Sequence, residues 1–228
     1  MKEEDCKKIT FVTDAAANMI AAFRLPNRAP LKRINCACHM LNTCLVNAVN
    51  RRENSKFRLT DVGLPVLKMI QDCRALVTHC KQRYLHRRLS VAPVQAVDTR
   101  WNSNVDMLES IIRLYPELEV ILQERNEGLR LPSPVEFLQA VAGLLRPFKR
   151  VTLALSAASI PTLNLVVSHF MELQEHVKQP IANEYQDLPQ YAALVAYQVK
   201  IHFPNSESME LTRIPSMIIE PTKKRGRR

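Results

Sequence analysis

The sequence predicts an α+β chain that is mostly helical, with α/β structure at its N-terminal end alone. Three observations predict this. Strand-like and helix-like segments alternate within the first fifty residues, and apolar residues recur every three or four positions along most of the remaining chain. The chain also has only 4 Gly among its 228 residues, whereas an average composition would give roughly 16.

The first fifty residues are predicted to form two strands and two helices. Residues 8–14 alternate and are rich in β-branched side chains, which favours a strand that ends at Asp14. Residues 15–23 come next and consist largely of strong helix formers. Residues 32–37 favour a short second strand, and residues 39–49 show helical spacing of apolar positions.

Helices are predicted over most of the chain beyond residue 60. They cover residues 64–84, a stretch from about Asn102, and residues 135–155 and 162–177. Pro116 is expected to kink or restart the second of these, one face of which carries Val105, Leu108, Ile112 and Tyr115. After residue 180 the apolar pattern weakens.

Composition excludes several classes of protein. The four glycines are too far apart for a GxG or GxxxxGK loop, so P-loop and dinucleotide-binding folds are excluded. The sequence contains no run of about 18 apolar residues that would span a membrane, so no membrane partner is expected. The N-terminus is too charged for a signal peptide. Six cysteines without such a signal indicate a reducing compartment.

The net charge of +10 is unevenly distributed. Residues 1–100 hold 18 Lys and Arg against 8 Asp and Glu, whereas residues 101–220 hold 9 against 14. The last eight residues add five basic side chains and no acids. A basic half attracts polyanions, above all nucleic acid, although scattered surface charge explains the same count.

Several residues carry candidate chemistry, each beside a purely structural alternative. Asp14 at a strand end is either a metal-binding carboxylate or a helix N-cap. Cys36, Cys38 and His39 resemble half of a zinc site, or else the cysteines are core residues. Trp101 is either a core anchor or a ring that stacks on a nucleobase.

Basic residues provide the remaining candidates. DNA phosphates are predicted to be bound by Arg100, which precedes Trp101, and by Lys32 and Arg33. The C-terminal cluster is predicted to be a nuclear-import signal or a nucleic-acid contact, and consists of Lys223, Lys224, Arg225, Arg227 and Arg228.

Four segments, taken in order, resemble the hAT superfamily of DNA transposases and the host proteins derived from it. Residues 11–19 look like the family's TDxAxNM segment, and residues 33–42 look like its CxxHxLN segment. Residues 98–109 look like TRWNS…ML, and residues 145–162 look like LxPF…T…LS…PT.

The resemblance implies an RNase H-like core interrupted by a helical insertion domain. In that family three acids hold two divalent metals, Mg²⁺ or Mn²⁺, for DNA strand cleavage and transfer. The resemblance implies that Asp14 is the second acid, that Cys36 and His39 lie beside the active site, and that Trp101 stacks on DNA. We expect residues 1–55 to be the core remnant, 56–180 the insertion domain and 181–228 a weakly structured tail.

The first and third acids, the BED-type zinc finger and the dimerisation segment of the family have no match in this sequence. The leading hypothesis is therefore a truncated hAT-like nuclear protein that binds no metal, does not cut DNA, and binds DNA weakly or a protein such as a related transposase chain. One alternative is an active metal-dependent strand-transfer enzyme whose chain is incomplete. A second is a helical protein-interaction module.

Overall fold

The computed structural model describes residues 9–24, 32–49, 64–97, 101–125, 130–157, 162–179 and 187–202. Two strands and seven α-helices occur in these ranges, namely β1 (Thr10–Thr13), α1 (Ala17–Ala22), β2 (Lys32–Asn35), α2 (Ala37–Val49), α3 (Leu64–Gln82), α4 (Asn102–Arg125), α5 (Val135–Leu155), α6 (Val166–His176) and α7 (Asp187–His202). Two short 3₁₀ helices lie at Leu85–Arg88 and Leu163–Leu165. The predicted mostly helical α+β class is confirmed.

The N-terminal unit is a β-α-β arrangement of two parallel strands. Thr10 pairs with Lys32, and Thr13 pairs with Asn35. Helix α1 has no buried residue, and neither strand contains one. The predicted order of strand, helix, strand, helix is confirmed, but this sheet lies outside the main core.

The core is a single cluster of buried apolar side chains carried by the helices. Helix α2 packs on α5 and α7, α4 packs along α5, and α3 contacts α4 and α7. Helix α6 packs on α5 and α7. The amphipathic pattern of α3 explains its place, because its apolar stripe is buried while Lys68, Gln71 and Asp72 are exposed.

Helix α4 differs from its prediction at two points. It runs through Pro116 without restarting, since Leu114 and Leu118 on either side are buried in the core and hold the helix together where Pro lacks an N–H. Its buried face passes through Ile111 and Leu114, so Ile112 and Tyr115 are only half-buried.

Charged side chains line one edge of the α4–α5 contact. Lys149 Nζ donates to Asp106 Oδ1 at 2.5 Å and to Glu109 Oε2 at 3.3 Å, and Arg146 Nε donates to Glu109 Oε1 at 2.8 Å. Burial would raise the pKa of Glu109, but the hydrogen bond from Arg146 and the nearby Lys149 charge outweigh it, so that the pKa is lowered. These contacts fix the register of the two helices at their solvent edge.

Helix α7 forms beyond residue 180, although the apolar pattern is weak there. Tyr191, Val195 and Val199 on this helix are fully buried, and Pro189 lies in its first turn, where it is tolerated. Apolar residues occur nearly all round α7, so its sequence has no strong one-sided periodicity. Such a helix is stabilised by burial against neighbours, in this case α2 above all.

No helix of the described ranges is long and apolar enough to cross a membrane. A two-stranded sheet does not identify an RNase H-like core, so that part of the fold stays a prediction. The boundaries at residues 55 and 180 also stay predictions.

Candidate functional site

The carboxyl ends of the two parallel strands bring three candidate residues to one edge. Asp14 directly follows β1, and Cys36 directly follows β2. The Cys36 N–H donates to the Thr13 carbonyl at 2.7 Å, so the strands remain paired up to this edge. His39 lies in the first turn of α2 and is exposed. Cys36 is half-buried.

Asp14 is exposed, and its carboxylate closes a local turn. Its Oδ1 accepts the Ala16 N–H at 3.2 Å. The N-cap of α1 is Ala16, which makes no side-chain cap bond. The interpretation of Asp14 as the N-cap is therefore wrong, because Asp14 lies two residues before the N-cap position. The carboxylate instead stabilises the bend between β1 and α1.

Arg33 joins the two strands at the same edge. Its Nε donates to Thr13 Oγ1 at 2.6 Å, while its guanidinium also donates to the Asp14 carbonyl and to Asn35 Oδ1 at 2.8 Å. These bonds use Nε and one terminal nitrogen, so the N–H groups of the other terminal nitrogen are left for the predicted phosphate contact. Lys32 is exposed at the start of β2.

The described residues do not fit a bound metal pair. Within the described ranges, no three His, Cys, Asp or Glu side chains form a group that could hold a metal ion. Two metals held by carboxylates need several ligands that converge, and Asp14 is engaged in its turn. No catalytic step through a metal is therefore derived for these residues.

The cysteines carry free thiols where the structure describes them. Cys44 and Cys73 are fully buried, and burial raises the pKa of each thiol to about 12. Cys38 lies near the end of α5, with its Sγ 3.4 Å from Ser156 Oγ, and burial raises its pKa. These surroundings are typical of core cysteines rather than of metal ligands.

Trp101 is packed in the core, with 3% of its surface exposed. Its carbonyl accepts the Asn104 N–H at 3.0 Å at the start of α4. Stacking on DNA would require the ring to leave the hydrophobic cluster. Ser103 exchanges hydrogen bonds with the Val97 backbone and so fixes the preceding connector.

Some predicted residues lie outside the described ranges. They are Arg100 and the C-terminal cluster of Lys223, Lys224, Arg225, Arg227 and Arg228. Their predicted roles stay predictions.

One basic segment, residues 81–88, was not predicted as a site from the sequence, and we call it the basic turn. It comprises the end of α3, the turn at Arg83 and Tyr84, and the 3₁₀ helix Leu85–Arg88, and it presents several exposed Arg and Lys side chains around Tyr84. A local charge count would have found it, because residues 73–97 contain five Lys or Arg and no Asp or Glu.

Comparison with known proteins places the chain near two curated relatives. It is 28% identical to the Hobo transposable-element transposase of Drosophila melanogaster, in an alignment that covers 75% of this chain and 24% of that protein. It is 23% identical to tpeD of Talaromyces stipitatus, a protein named for transcriptional regulation, over 90% of this chain and 30% of that protein.

The chain therefore spans between about a quarter and a third of the length of these relatives. No protein-family model matches it. At this level of identity, the chain is distantly similar to a transposase.

Proposed function

We propose that this chain is a DNA-binding segment of a protein related to the hAT transposases, acting in the nucleus. The observation that carries the proposal is the similarity to the Hobo transposase along three quarters of the chain. The four hAT-like segments of the sequence support the same origin. The proposal extends to the fold, in which β1, α1, β2 and α2 belong to an RNase H-like core and most later helices belong to an insertion domain.

The distribution of charge supports an electrostatic mode of binding. The basic side chains of residues 1–100 outnumber the acids by more than two to one. Lys and Arg side chains neutralise phosphates and release counterions, which favours binding without base specificity. In this mode the protein recognises the DNA backbone, and Lys32 contributes from the start of β2.

The second part of the proposal is that this chain binds DNA without cutting it. Its support is the state of Asp14, whose carboxylate accepts a backbone N–H and is not joined by a group of metal-ligating side chains within the described ranges. The Arg33 contacts and the Asp14 turn make this edge a structural junction. The Cys36 carbonyl accepts the Met40 N–H at 3.0 Å at the start of α2.

A gel-shift titration with duplex DNA at low salt tests the binding. We expect a shifted complex that heparin displaces, since heparin competes for the same cationic surface. Protein partners captured equally well after nuclease treatment, together with no shifted DNA, would favour the protein-interaction alternative instead.

A nicking assay tests the second part separately. Supercoiled plasmid incubated with the purified chain and Mg²⁺ or Mn²⁺ is expected to stay supercoiled. Metal-dependent nicking that disappears in Asp14→Ala but persists in the matched variant Asp72→Ala, also exposed, would establish the enzymatic alternative.

The nuclear location is proposed from the relatives and from the C-terminal basic cluster. A fluorescent fusion is expected to accumulate in nuclei and to lose that accumulation when Lys223, Lys224 and Arg225 are replaced by Gln. Unchanged accumulation in that variant would remove the import role of the cluster.

A further inference from the structure

From the geometry of the basic turn, residues 81–88, we infer that it is a contact site for single-stranded nucleic acid, with Tyr84 as a stacking platform and Arg83 and Arg87 as phosphate ligands. The inference rests on the proposed function and assigns a surface to it.

Tyr84 is displayed in an unusual way for an aromatic residue. Its φ of 57° makes it the one non-glycine residue with positive φ in the described part of the chain. Bulky side chains rarely adopt this conformation. The ring is not there to fill the core, because 62% of the residue is exposed. A left-handed residue commonly follows the end of a helix, as Tyr84 follows α3, but that residue is usually Gly or Asn, so a tyrosine here is unusual.

Arg87 lies over one face of the ring, and the residue as a whole stays exposed. The Arg87 guanidinium carbon lies 5.1 Å from the centroid of the Tyr84 ring, and the His86 ring lies 6.1 Å away. The backbone is fixed on both sides, since Arg83 N–H donates to His79 O at 2.9 Å and Arg87 N–H donates to Tyr84 O at 3.2 Å.

Apolar anchors attach the turn to the core. Leu85 is 1% exposed and Leu89 is 8% exposed, so the residue after Tyr84 and the residue after Arg88 are both buried. The backbone between such anchors loses little freedom when a ligand binds. The turn is therefore held in place beneath an exposed ring and its neighbouring cations.

The charge of the turn is positive after its pairs are counted. Arg88 pairs with Glu124, and the Glu117 carboxylate accepts both the Ser90 N–H and the Ser90 hydroxyl at 2.6 Å. Within the described ranges no carboxylate pairs with Lys81, Arg83 or Arg87, all of which are exposed. Exposed cations around an aromatic face are the combination that binds single strands, because phosphates and bases are contacted together.

Fluorescence anisotropy with labelled oligothymidine of about 16 nucleotides tests the inference on the full chain. The double variant Arg83→Gln/Arg87→Gln is expected to bind about tenfold more weakly at moderate salt. Its slope of log affinity against log salt should be shallower by about 1.4, or about 0.7 for each lost phosphate contact. The matched control is Arg113→Gln/Arg130→Gln, which removes the same charge from exposed arginines elsewhere.

The ring is tested by Tyr84→Asn and Tyr84→Phe. Asn tolerates a positive φ, so Tyr84→Asn keeps the fold, as circular dichroism will check, and is expected to bind about fivefold more weakly or worse. Tyr84→Phe should bind like the wild type. Tyr197→Asn removes another exposed tyrosine as the control.

The outcomes separate this inference from the proposed function. A wild-type chain that binds neither single strands nor duplexes overturns both. Wild-type binding that Arg83→Gln/Arg87→Gln weakens no more than the control overturns the inference alone. If Arg83→Gln/Arg87→Gln loses affinity for duplex DNA but binds single strands like the wild type, the assignment of the basic turn to single strands is overturned.

Discussion

At the scale of single residues, Tyr191 combines full burial with an unsatisfied hydroxyl. Its exposure is 0%, and its hydroxyl has no hydrogen-bond partner within the described ranges. Burial raises its pKa far above the ordinary value. A buried polar group without a partner costs free energy. The phenol ring is nevertheless retained by packing in the core.

Tyr191→Phe is therefore expected to raise the free energy of unfolding by about 1 kcal/mol, because it deletes the unsatisfied hydroxyl and keeps the ring. Tyr191→Ala should lower it by about 3–5 kcal/mol through the cavity it leaves. Urea denaturation followed by circular dichroism measures both. A clear loss of stability in Tyr191→Phe would show that the hydroxyl is satisfied after all.

The buried thiols predict a pH dependence. Burial raises the pKa of Cys44 and Cys73 from 9.0 to about 12. Above pH about 9 the unfolded chain releases thiol protons that the folded chain keeps. The contribution of these thiols to the free energy of unfolding is therefore fully present below that pH. It falls as the pH rises towards 12, by up to about 1.4 kcal/mol per pH unit for each thiol.

Comparison with Cys73→Ala isolates this effect from other groups that titrate in the same range. The variant is less stable at pH about 8.5, but it should lose less further stability than the wild type by pH about 10.5. Urea denaturation at both pH values gives the two differences. Equal losses would show that the Cys73 thiolate is accommodated in the folded chain.

At the scale of elements, most helices were predictable and α7 was not. Helices α3 and α5 each have a one-sided apolar stripe, and the predicted bounds of α5 match the observed Val135–Leu155. Helix α7 is apolar nearly all round and depends on contact with α2, a tertiary effect that periodicity does not record.

Site residues were less predictable than elements. The family resemblance, and not the strand pattern, implied that Cys36 lies beside Asp14; the structure brings both to one edge because β1 and β2 are parallel. The burial of Trp101 was one of two open alternatives, because a Trp beside a basic residue has the same sequence signature in both. The apolar pattern predicted Tyr84 as the last position of the helix over residues 64–84, and this was wrong. The helix ends at Gln82, and Tyr84 follows it with a positive φ and an exposed ring, a backbone conformation that only the structure shows.

Pro116 gives an element-scale prediction. Pro inside a helix removes one backbone hydrogen bond, and Pro116 is exposed, so its ring contributes little to the core. Pro116→Ala is expected to raise the free energy of unfolding by about 1–3 kcal/mol, since Ala restores the N–H and favours the helix. Thermal denaturation of Pro116→Ala and the wild type measures this gain as a higher melting temperature of the variant. A lower melting temperature would indicate that the proline ring contributes to packing.

The two-stranded sheet predicts uneven protection from hydrogen exchange. Its strands and α1 have no buried residue, and a two-stranded sheet is marginal in isolation. Amides of residues 10–13 and 32–35 should exchange much faster than those of α4 and α5. Arg33→Gln should further accelerate the amide exchange of the sheet and leave the exchange rates of α5 unchanged. Equal protection of sheet and helices would mean that the sheet is covered by other parts of the protein.

At the scale of the whole molecule, a helical core supports two basic regions. The N-terminal sheet edge contributes Lys32, and the basic turn contributes Arg83 and Arg87. Residues 101–220 carry more acids than bases, so the proposed binding of DNA is expected to involve the N-terminal half of the chain. This charge asymmetry is what makes the proposed binding electrostatic.

The salt dependence of duplex DNA binding by the full chain tests that claim most directly. We predict binding at about 50 mM salt and a linear fall of log affinity with log salt, with a slope of about −2 or steeper. A chain that binds no DNA at about 50 mM salt, or whose affinity is the same at about 200 mM, would contradict the claim.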